Sequence, residues 1–326
     1  MMKKSALILC ILALTACGSR QAKAPLPAKN DAPAFCADSA FSYVKAQTDF
    51  GPRVPNTKAH KSCAKWLAAK MSSFGADTKV QEFTTTAFDG TRLECFNIIG
   101  RINPESPIRV IVCSHWDSRP WADNDDDPAN RKKPVDGAND GASGVGVILE
   151  MARQFQSESP EIGVDCIFFD AEDWGPGDDF KGQHLETYWG LGTQYWARQS
   201  RSAGYKARYA VLLDMVGGRK AQFCREAYSS YFAKNVQDKV WSEAARLGYT
   251  SLFSPADGLY VTDDHYFINT IAKIPAIDIV PYMPNSTGSS FGPTWHTAQD
   301  NIENIDKATL EAVGKTLLSV IYKERR

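Results

Sequence analysis

Four short, unbroken apolar runs constrain this chain more than any other feature: Val110 to Cys113, Ile167 to Phe169, Ala210 to Leu213 and Ile277 to Val280. A strand with one wet face alternates apolar and polar residues, whereas an unbroken run marks a strand buried on both faces. Helical patterns lie between and after these runs, clearest at Val145, Ile148, Leu149, Ala152 and Phe155, from Val240 to Leu247 and from Leu310 to Ile321. Strand alternating with helix predicts an α/β three-layer sandwich, a mostly parallel central sheet with helices on both faces. Ligands of such sheets bind beyond the carboxyl ends of the strands, so the residues after each run matter most.

Those residues are polar and titratable. Ser114-His115-Trp116-Asp117 follows the first run, Asp170-Ala171-Glu172-Asp173-Trp174 the second and Asp214-Met215-Val216-Gly217 the third. Asp136-Gly137-Ala138-Asn139-Asp140-Gly141 leads into the Val145 helix, and Thr294-Trp295-His296-Thr297 precedes the last helical stretch. Each residue has a plainer alternative: Asp140 as a helix N-cap, Glu172 and Asp173 as solvated loop acids, Asp214 as a turn residue, His115 as a core histidine, His296 as a surface one. Independent structural roles do not predict acids at successive strand ends of one sheet. Carboxylates that converge raise one another's pKa unless a cation neutralises them, and a bound divalent metal is the simplest resolution.

Ahead of this body, Met1 to Lys4 carry positive charge, Ala6 to Leu12 form an apolar run and Leu14-Thr15-Ala16-Cys17 follows. This is the pattern of a bacterial lipoprotein signal, residues 1–16, with the lipid on Cys17. The apolar run is too short to span a bilayer, so the lipid is the one expected attachment to the membrane and the bacterial cell envelope, facing the periplasm, the expected location. Residues 17–34, rich in Ala, Lys and Pro, read as a flexible tether, and residues 35–326 as one domain. A formal net charge of -1, a pI near 6.5 and the lack of any Lys/Arg run interleaved with aromatics argue against nucleic acid as a partner. Of eight cysteines, Cys113 and Cys166 sit inside strand runs and read as inert buried thiols. Export permits a disulfide between Cys36 and Cys63, but sequence supplies no Cα separation to decide it.

The order His115-x-Asp117, Asp140 in an Asn-Asp-Gly-Ala-Ser-Gly turn, Glu172-Asp173, Asp214 and His296 resembles the ligand order of zinc-dependent aminopeptidases. Within that clan the chain is most similar to the animal-type glutaminyl-peptide cyclotransferases. The similarity rests on Thr262-Asp263-Asp264-His265, on Phe291 ahead of Trp295-His296-Thr297, on Asp300-Asn301-Ile302-Glu303-Asn304-Ile305-Asp306 and on Asp49-Phe50-Gly51-Pro52-Arg53-Val54-Pro55. The resemblance implies one zinc ion on Asp140, Asp173 and His296 with an open fourth position, although the donor set alone suits manganese or iron as well. It implies conversion of the N-terminal glutamine of peptides and proteins to pyroglutamate with loss of ammonia. Glu172 would shuttle the proton, Asp214, hydrogen-bonded to Asp263, would hold the leaving nitrogen, and Trp189, Phe291 and Trp295 would wall the pocket, with Trp121 and Trp174 as further candidates.

The animal cyclases carry Glu-Glu where this chain has Glu172-Asp173, so the ligand is one methylene shorter and its backbone must approach the metal more closely. His115 and Asp214, second-metal ligands in the aminopeptidases, are both present, which keeps an exported two-metal aminopeptidase as the alternative. An iron oxygenase using His115, Asp117 and His296, and a lipid-anchored peptide-binding protein, are the more distant readings. Asp123 to Lys133 holds four aspartates followed by Arg131, Lys132 and Lys133. Its spacing lacks the EF-hand pattern of a calcium loop, and it reads as a solvated rim that limits which peptides enter.

Overall fold

A computed structural model describes residues 32–177 and 180–325. The lipoprotein signal, Cys17 and the tether up to residue 31 lie outside the described residues. The strands are β1 (Asp77–Thr86), β2 (Arg92–Ile102), β3 (Arg109–His115), β4 (Gly163–Phe169), β5 (Ala210–Leu213), β6 (Phe223–Arg225), β7 (Phe253–Asp257) and β8 (Ala276–Ile279). The helices are α1 (Ala37–Thr48), α2 (Lys58–Ser73), α3 (Ala142–Ser157), α4 (Leu191–Ser202), α5 (Ala227–Arg246), α6 (Asp264–Phe267) and α7 (Lys307–Lys323).

Every residue of β3, β4, β5 and β8 is buried, which is why their sequences run apolar without alternation. Successive side chains nevertheless point to opposite faces, and this divides the core in two. Val110 and Val112, Val164, Cys166 and Phe168, Val211 and Leu213, and Ile277 and Ile279 face one way, packed with buried residues of α1, α2, α3, α5 and α7. Ile111 and Cys113, Ile167 and Phe169, Ala210 and Leu212, and Ala276 face the other, against Trp196 and Ala197 of α4 and Ile268 just after α6. The predicted three-layer sandwich is present.

The sheet order is β1-β2-β4-β3-β5-β8. The four strands β4, β3, β5 and β8 pair parallel, with β8 at the edge, while β2 runs antiparallel to β4, and β1 to β2. Edge strand β1 carries a mostly half-wet, Thr-rich sequence that fits a one-sided position. β8 covers Ala276–Ile279, so the apolar run extends one residue past the strand. Short parallel strands β6 and β7 form a separate pair beside α5.

The cysteine pairing that sequence left open has an answer. All six described cysteines are free, including Cys36 and Cys63. Cys63 is fully buried on the core side of α2, and that burial pushes its thiol up to about 12. Ala32, at the start of the described residues, packs against the core.

Candidate active site

β4, β3 and β5 are neighbours, so their carboxyl ends deliver Glu172 with Asp173, His115 and Asp214 to one edge of the sheet. Asp140 arrives from the turn before α3. It is not the N-cap: Gly141 holds that position with φ of 92°, and a Cβ there would meet the Asp117 carbonyl oxygen at 2.5 Å. Only glycine fits that turn. The N–H groups of Asn139 and Asp140 donate to the Asp300 carboxylate at 2.7 and 3.0 Å, which fixes the turn from below. Ala171, Met215 and His296, each at or beside a site residue, take the left-handed backbone conformation with φ of 52°, 52° and 56°. Such strain costs roughly 1–3 kcal/mol per residue and persists where surrounding bonds over-determine the turn.

Two overlapping donor sets result. Asp140, Asp173 and His296 bring one ligand atom each within 4.8 Å of one another, and so do His115, Asp140 and Asp214. Asp140 joins the sets, its Oδ1 lying 2.9 Å from His115 Nε2 and its Oδ2 3.7 Å from His296 Nε2. His296 Nε2 is 3.3 Å from Asp173 Oδ1. The first set fits a divalent ion on two observations. Asp173 Oδ2 is buried without a hydrogen-bond partner, and burial together with the charges of Asp173 and Asp214 pushes Asp140 up to about 6. Two carboxylates and an imidazole form a donor set that zinc accepts.

Residues that sequence reasoning left without a task hold these ligands in place. Asp117 accepts the N–H groups of Glu172 and Asp173 at 3.1 and 3.2 Å, one on each carboxylate oxygen. It lies beneath the turn, so His115, Asp117 and His296 do not form the facial triad of an iron oxygenase. Arg119 reaches Asp173 Oδ1 at 3.2 Å and Asp123 Oδ1 at 2.8 Å, and Asp123 Oδ1 stands 3.4 Å from His296 Nδ1. Burial opposes ionisation of Asp123, yet Arg119 and His296 hold its carboxyl well below the usual range. The aspartate-rich loop also grips the His296 turn directly. Asn124 N–H donates to the His296 carbonyl at 3.1 Å, and Asp125 Oδ2 accepts from Ala298 N–H at 2.8 Å. Part of the segment expected as a solvated rim is therefore a brace for the ligand turn.

The nine residues to which the resemblance gave a catalytic, metal or pocket role line one cavity of about 240 Å³: Asp140, Glu172, Asp173, Trp189, Asp214, Asp263, Phe291, Trp295 and His296. That is below the roughly 300–1,000 Å³ of sites for drug-sized ligands and suits a single side chain. Met215, Tyr260, Val261 and Thr262 complete the wall and were not foreseen. The Trp295 ring stacks on His296 at 3.7 Å and meets Phe291 at 5.1 Å. Trp121 and Trp174 pack edge to face against each other at 6.0 Å, outside the lining. Glu172 is buried, and that burial, reinforced by the charge of Asp263, raises its pKa well above the ordinary range. Burial and Asp214 push Asp263 up to about 7. The hydrogen bond expected between Asp214 and Asp263 is not formed. Asp214 Oδ1 instead lies 3.1 Å from His115 Nε2, and Asp263 Oδ1 accepts from Asp264 N–H to cap α6.

Residues 97–321 match the sequence profile of Peptidase family M28. The chain belongs to peptidase family M28. The solved glutaminyl cyclase of Bacteroides thetaiotaomicron, bound to N-acetylhistamine, is 52% identical with a TM-score of 0.88, covering 90% of this chain and 100% of that one. A Zn-dependent exopeptidase from Parabacteroides distasonis is 49% identical with a TM-score of 0.86 over 90% of this chain and 100% of its own. The glutaminyl-peptide cyclotransferase of Bothrops jararaca is 25% identical over 83% of this chain and 78% of its own length. The fold is thus one shared with both cyclases and exopeptidases, and the family together with the buried His and Asp clusters suggests zinc.

Proposed function

We propose that this M28 protein is a glutaminyl-peptide cyclotransferase that holds one zinc ion and acts on peptides and proteins with N-terminal glutamine. The observation that carries the reading is Glu172, a buried carboxylate of raised pKa beside Asp173, facing a cavity sized for one side chain. Asp140, Asp173 and His296 would hold the zinc, whose chemistry when bound is to polarise the γ-carboxamide carbonyl and stabilise the oxyanion that develops there.

The chain's own residues do the rest. Trp189, Phe291 and Trp295 fold the glutaminyl side chain back toward its own α-amine, so the entropic cost of bringing nucleophile and electrophile together falls within one residue. Glu172 takes a proton as the α-nitrogen bonds to the carboxamide carbon, and returns it to the departing nitrogen as that carbon–nitrogen bond breaks and ammonia leaves. Asp214 and Asp263, which both line the cavity, accept hydrogen bonds from the carboxamide nitrogen, and burial with the charge of Asp214 pushes Asp263 up to about 7. The aromatic walls keep water away from the activated carbonyl, favouring cyclisation over hydrolysis.

A second reading, peptide hydrolysis with two ions, is favoured by the assembled His115, Asp140 and Asp214 set. A glutaminyl arylamide assayed with and without a pyroglutamyl-peptidase coupling enzyme, beside a leucyl arylamide, separates the two. The cyclase gives signal only from the coupled glutaminyl reaction, and direct release from the leucyl compound would establish the peptidase. We also propose that the lipid on Cys17 ties the enzyme to the bacterial cell envelope, facing the periplasm. No helix among the described residues is long and apolar enough to cross a membrane. Cys17→Ser should move the protein from the membrane fraction to the soluble one.

A further inference from the structure

Five large hydrophobic side chains are exposed among the described residues, and four of them, Tyr231, Phe232, Leu259 and Tyr260, belong to one stripe. Tyr228 joins them: its ring stands 4.7 Å from Tyr260 and 6.2 Å from Phe232, which meets Tyr231 at 4.8 Å. Leu259 is tied to the start of α5, its carbonyl accepting Ala227 N–H at 3.0 Å. Positions 228, 231 and 232 share one face of the first turns of α5. The helix breaks at Ala233, where φ is -142° and ψ is 37°, and beyond the break Val236 and Val240 belong to the core. Ordinary surfaces scatter their apolar residues singly, whereas a joined patch marks a surface that something covers.

At its Tyr231 and Phe232 end the stripe opens onto a groove of about 490 Å³ whose lining carries Arg208, Lys234 and Lys239 and no acid. Two carboxylates serve four cations there, Glu324 taking Arg208 and Lys239, and Asp238 taking Lys234 and Arg225, so positive charge is in excess. Tyrosines, with apolar rings and polar tips, settle at the boundary between acyl chains and headgroups, and unbalanced cations settle on lipid phosphates. We propose that this stripe docks the folded body on an anionic phospholipid surface. The inference rests on the lipid at Cys17. The fourteen residues between Cys17 and Ala32 can span at most about 50 Å, roughly the width of a body of this size, so the choice of face falls to the surface itself. Tyr260 also walls the catalytic cavity, so docking holds that cavity beside the headgroups.

The zinc-loaded full chain, made in a bacterial host that processes lipoproteins, is reconstituted with vesicles of phosphatidylglycerol and phosphatidylethanolamine that carry bromine on their acyl chains, and tryptophan emission is read. Tyr231→Trp places a reporter in the stripe. Lys65→Trp places one at an exposed position of α2, which packs on β1 and β2 at the other end of the sheet from α5 and β8. Bromine should quench most of the emission added by Tyr231→Trp and leave that added by Lys65→Trp unchanged. Phe232→Ser, also at the surface, should reduce the quenching. Lys234→Gln should lower the ratio of docked to free body about fivefold, the worth of one cation near an anionic surface, and by far less in phosphatidylcholine vesicles. Vesicle-bound, acylated chain with both reporters quenched equally, or neither, overturns the docking surface and leaves the anchor standing. An N-terminal peptide without the mass of an acyl chain overturns the anchor, and docking with it. A blue shift of Tyr231→Trp that grows with protein concentration before any vesicle is added gives the stripe to a second copy of the chain and overturns docking on lipid.

Discussion

Glu172 and Asp173 occupy one turn, pinned through both backbone N–H groups by Asp117, yet their surroundings drive them apart. Burial and the charge of Asp263 lift Glu172 well above the carboxylate range, while Asp173, buried as deeply, is drawn below it by His296 and Arg119. One is suited to carry a proton and the other to stay an anion for a metal. Glu172→Gln should retain zinc stoichiometry and lose turnover by roughly 10²–10⁴-fold, the worth of a general base. Asp173→Asn should lose the zinc itself, and metal analysis beside ammonia release distinguishes the two. Arg119 gives a subtler case because it contacts ligand Asp173 and, through Asp123, orients ligand His296. Lysine keeps the charge but not the fork that touches both acids. Arg119→Lys should weaken zinc about 10–100-fold in competition with a chelator, the usual effect of losing a partner that orients metal ligands. None of this was legible at Arg119, whose role exists only once segments more than fifty residues apart are folded together; at Glu172 and Asp173 the strand-end position and the family resemblance were enough.

At the scale of elements, the legible parts were those whose burial is uniform. β3, β4, β5 and β8 declare themselves by unbroken apolar sequence, and α3 and α7 by clear stripes. α4 escaped because it buries only a short first turn with Trp196 and Ala197 and is otherwise polar, and the β1–β2 pair because half-wet strands lack a continuous run. Contacts between helices were likewise invisible. Glu243 of α5 receives Arg246 from its own helix and Ser319 and Lys323 from α7. Burial opposes its ionisation, but these three donors win and hold it at about 2, below the ordinary 4.5. The folded state therefore binds this proton less tightly than the unfolded chain, so the contribution is complete above pH 4.5 and is lost as pH falls toward 2. Arg246 and Lys323 are well exposed, which limits the effect to about 1 kcal/mol. Glu243→Gln should be less stable than the parent by that amount at pH 7 in urea unfolding, and the gap should close as the pH is taken from 4.5 toward 2.

For the whole molecule, the decisive fact is how many acids the sheet edge gathers. Asp140, Glu172, Asp173, Asp214, Asp263 and Asp300 are all buried within one region, where His115, His296 and Arg119 are the cations named at close range. Sequence made much of this convergence visible, since the strand ends named Glu172, Asp173 and Asp214, the turn before α3 named Asp140 and the family resemblance named Asp263, but it could not show that Asp300 lies under the Asp140 turn. Burial and Asp214 push Asp263 up to about 7, and burial and Asp140 do the same to Asp300. Both bind protons more tightly folded than unfolded. Between the ordinary value of 3.8 and about 7, the folded chain keeps protons that the unfolded chain has released, so stability without metal falls as pH rises through that window. A cation on Asp140 and Asp173 removes much of the repulsion at the centre of the cluster and, binding only the folded form, stabilises it by about 2.7 kcal/mol at a hundredfold excess over Kd. Chelated protein should therefore show a Tm that declines from pH 4 toward pH 7, and zinc should raise it by several degrees at pH 7 and by progressively less toward pH 4, where the acids hold protons in place of the ion. Calorimetry at matched ionic strength measures both curves, and a zinc-induced shift of equal size at pH 4 and pH 7 would mean that the acid cluster and the metal are not linked.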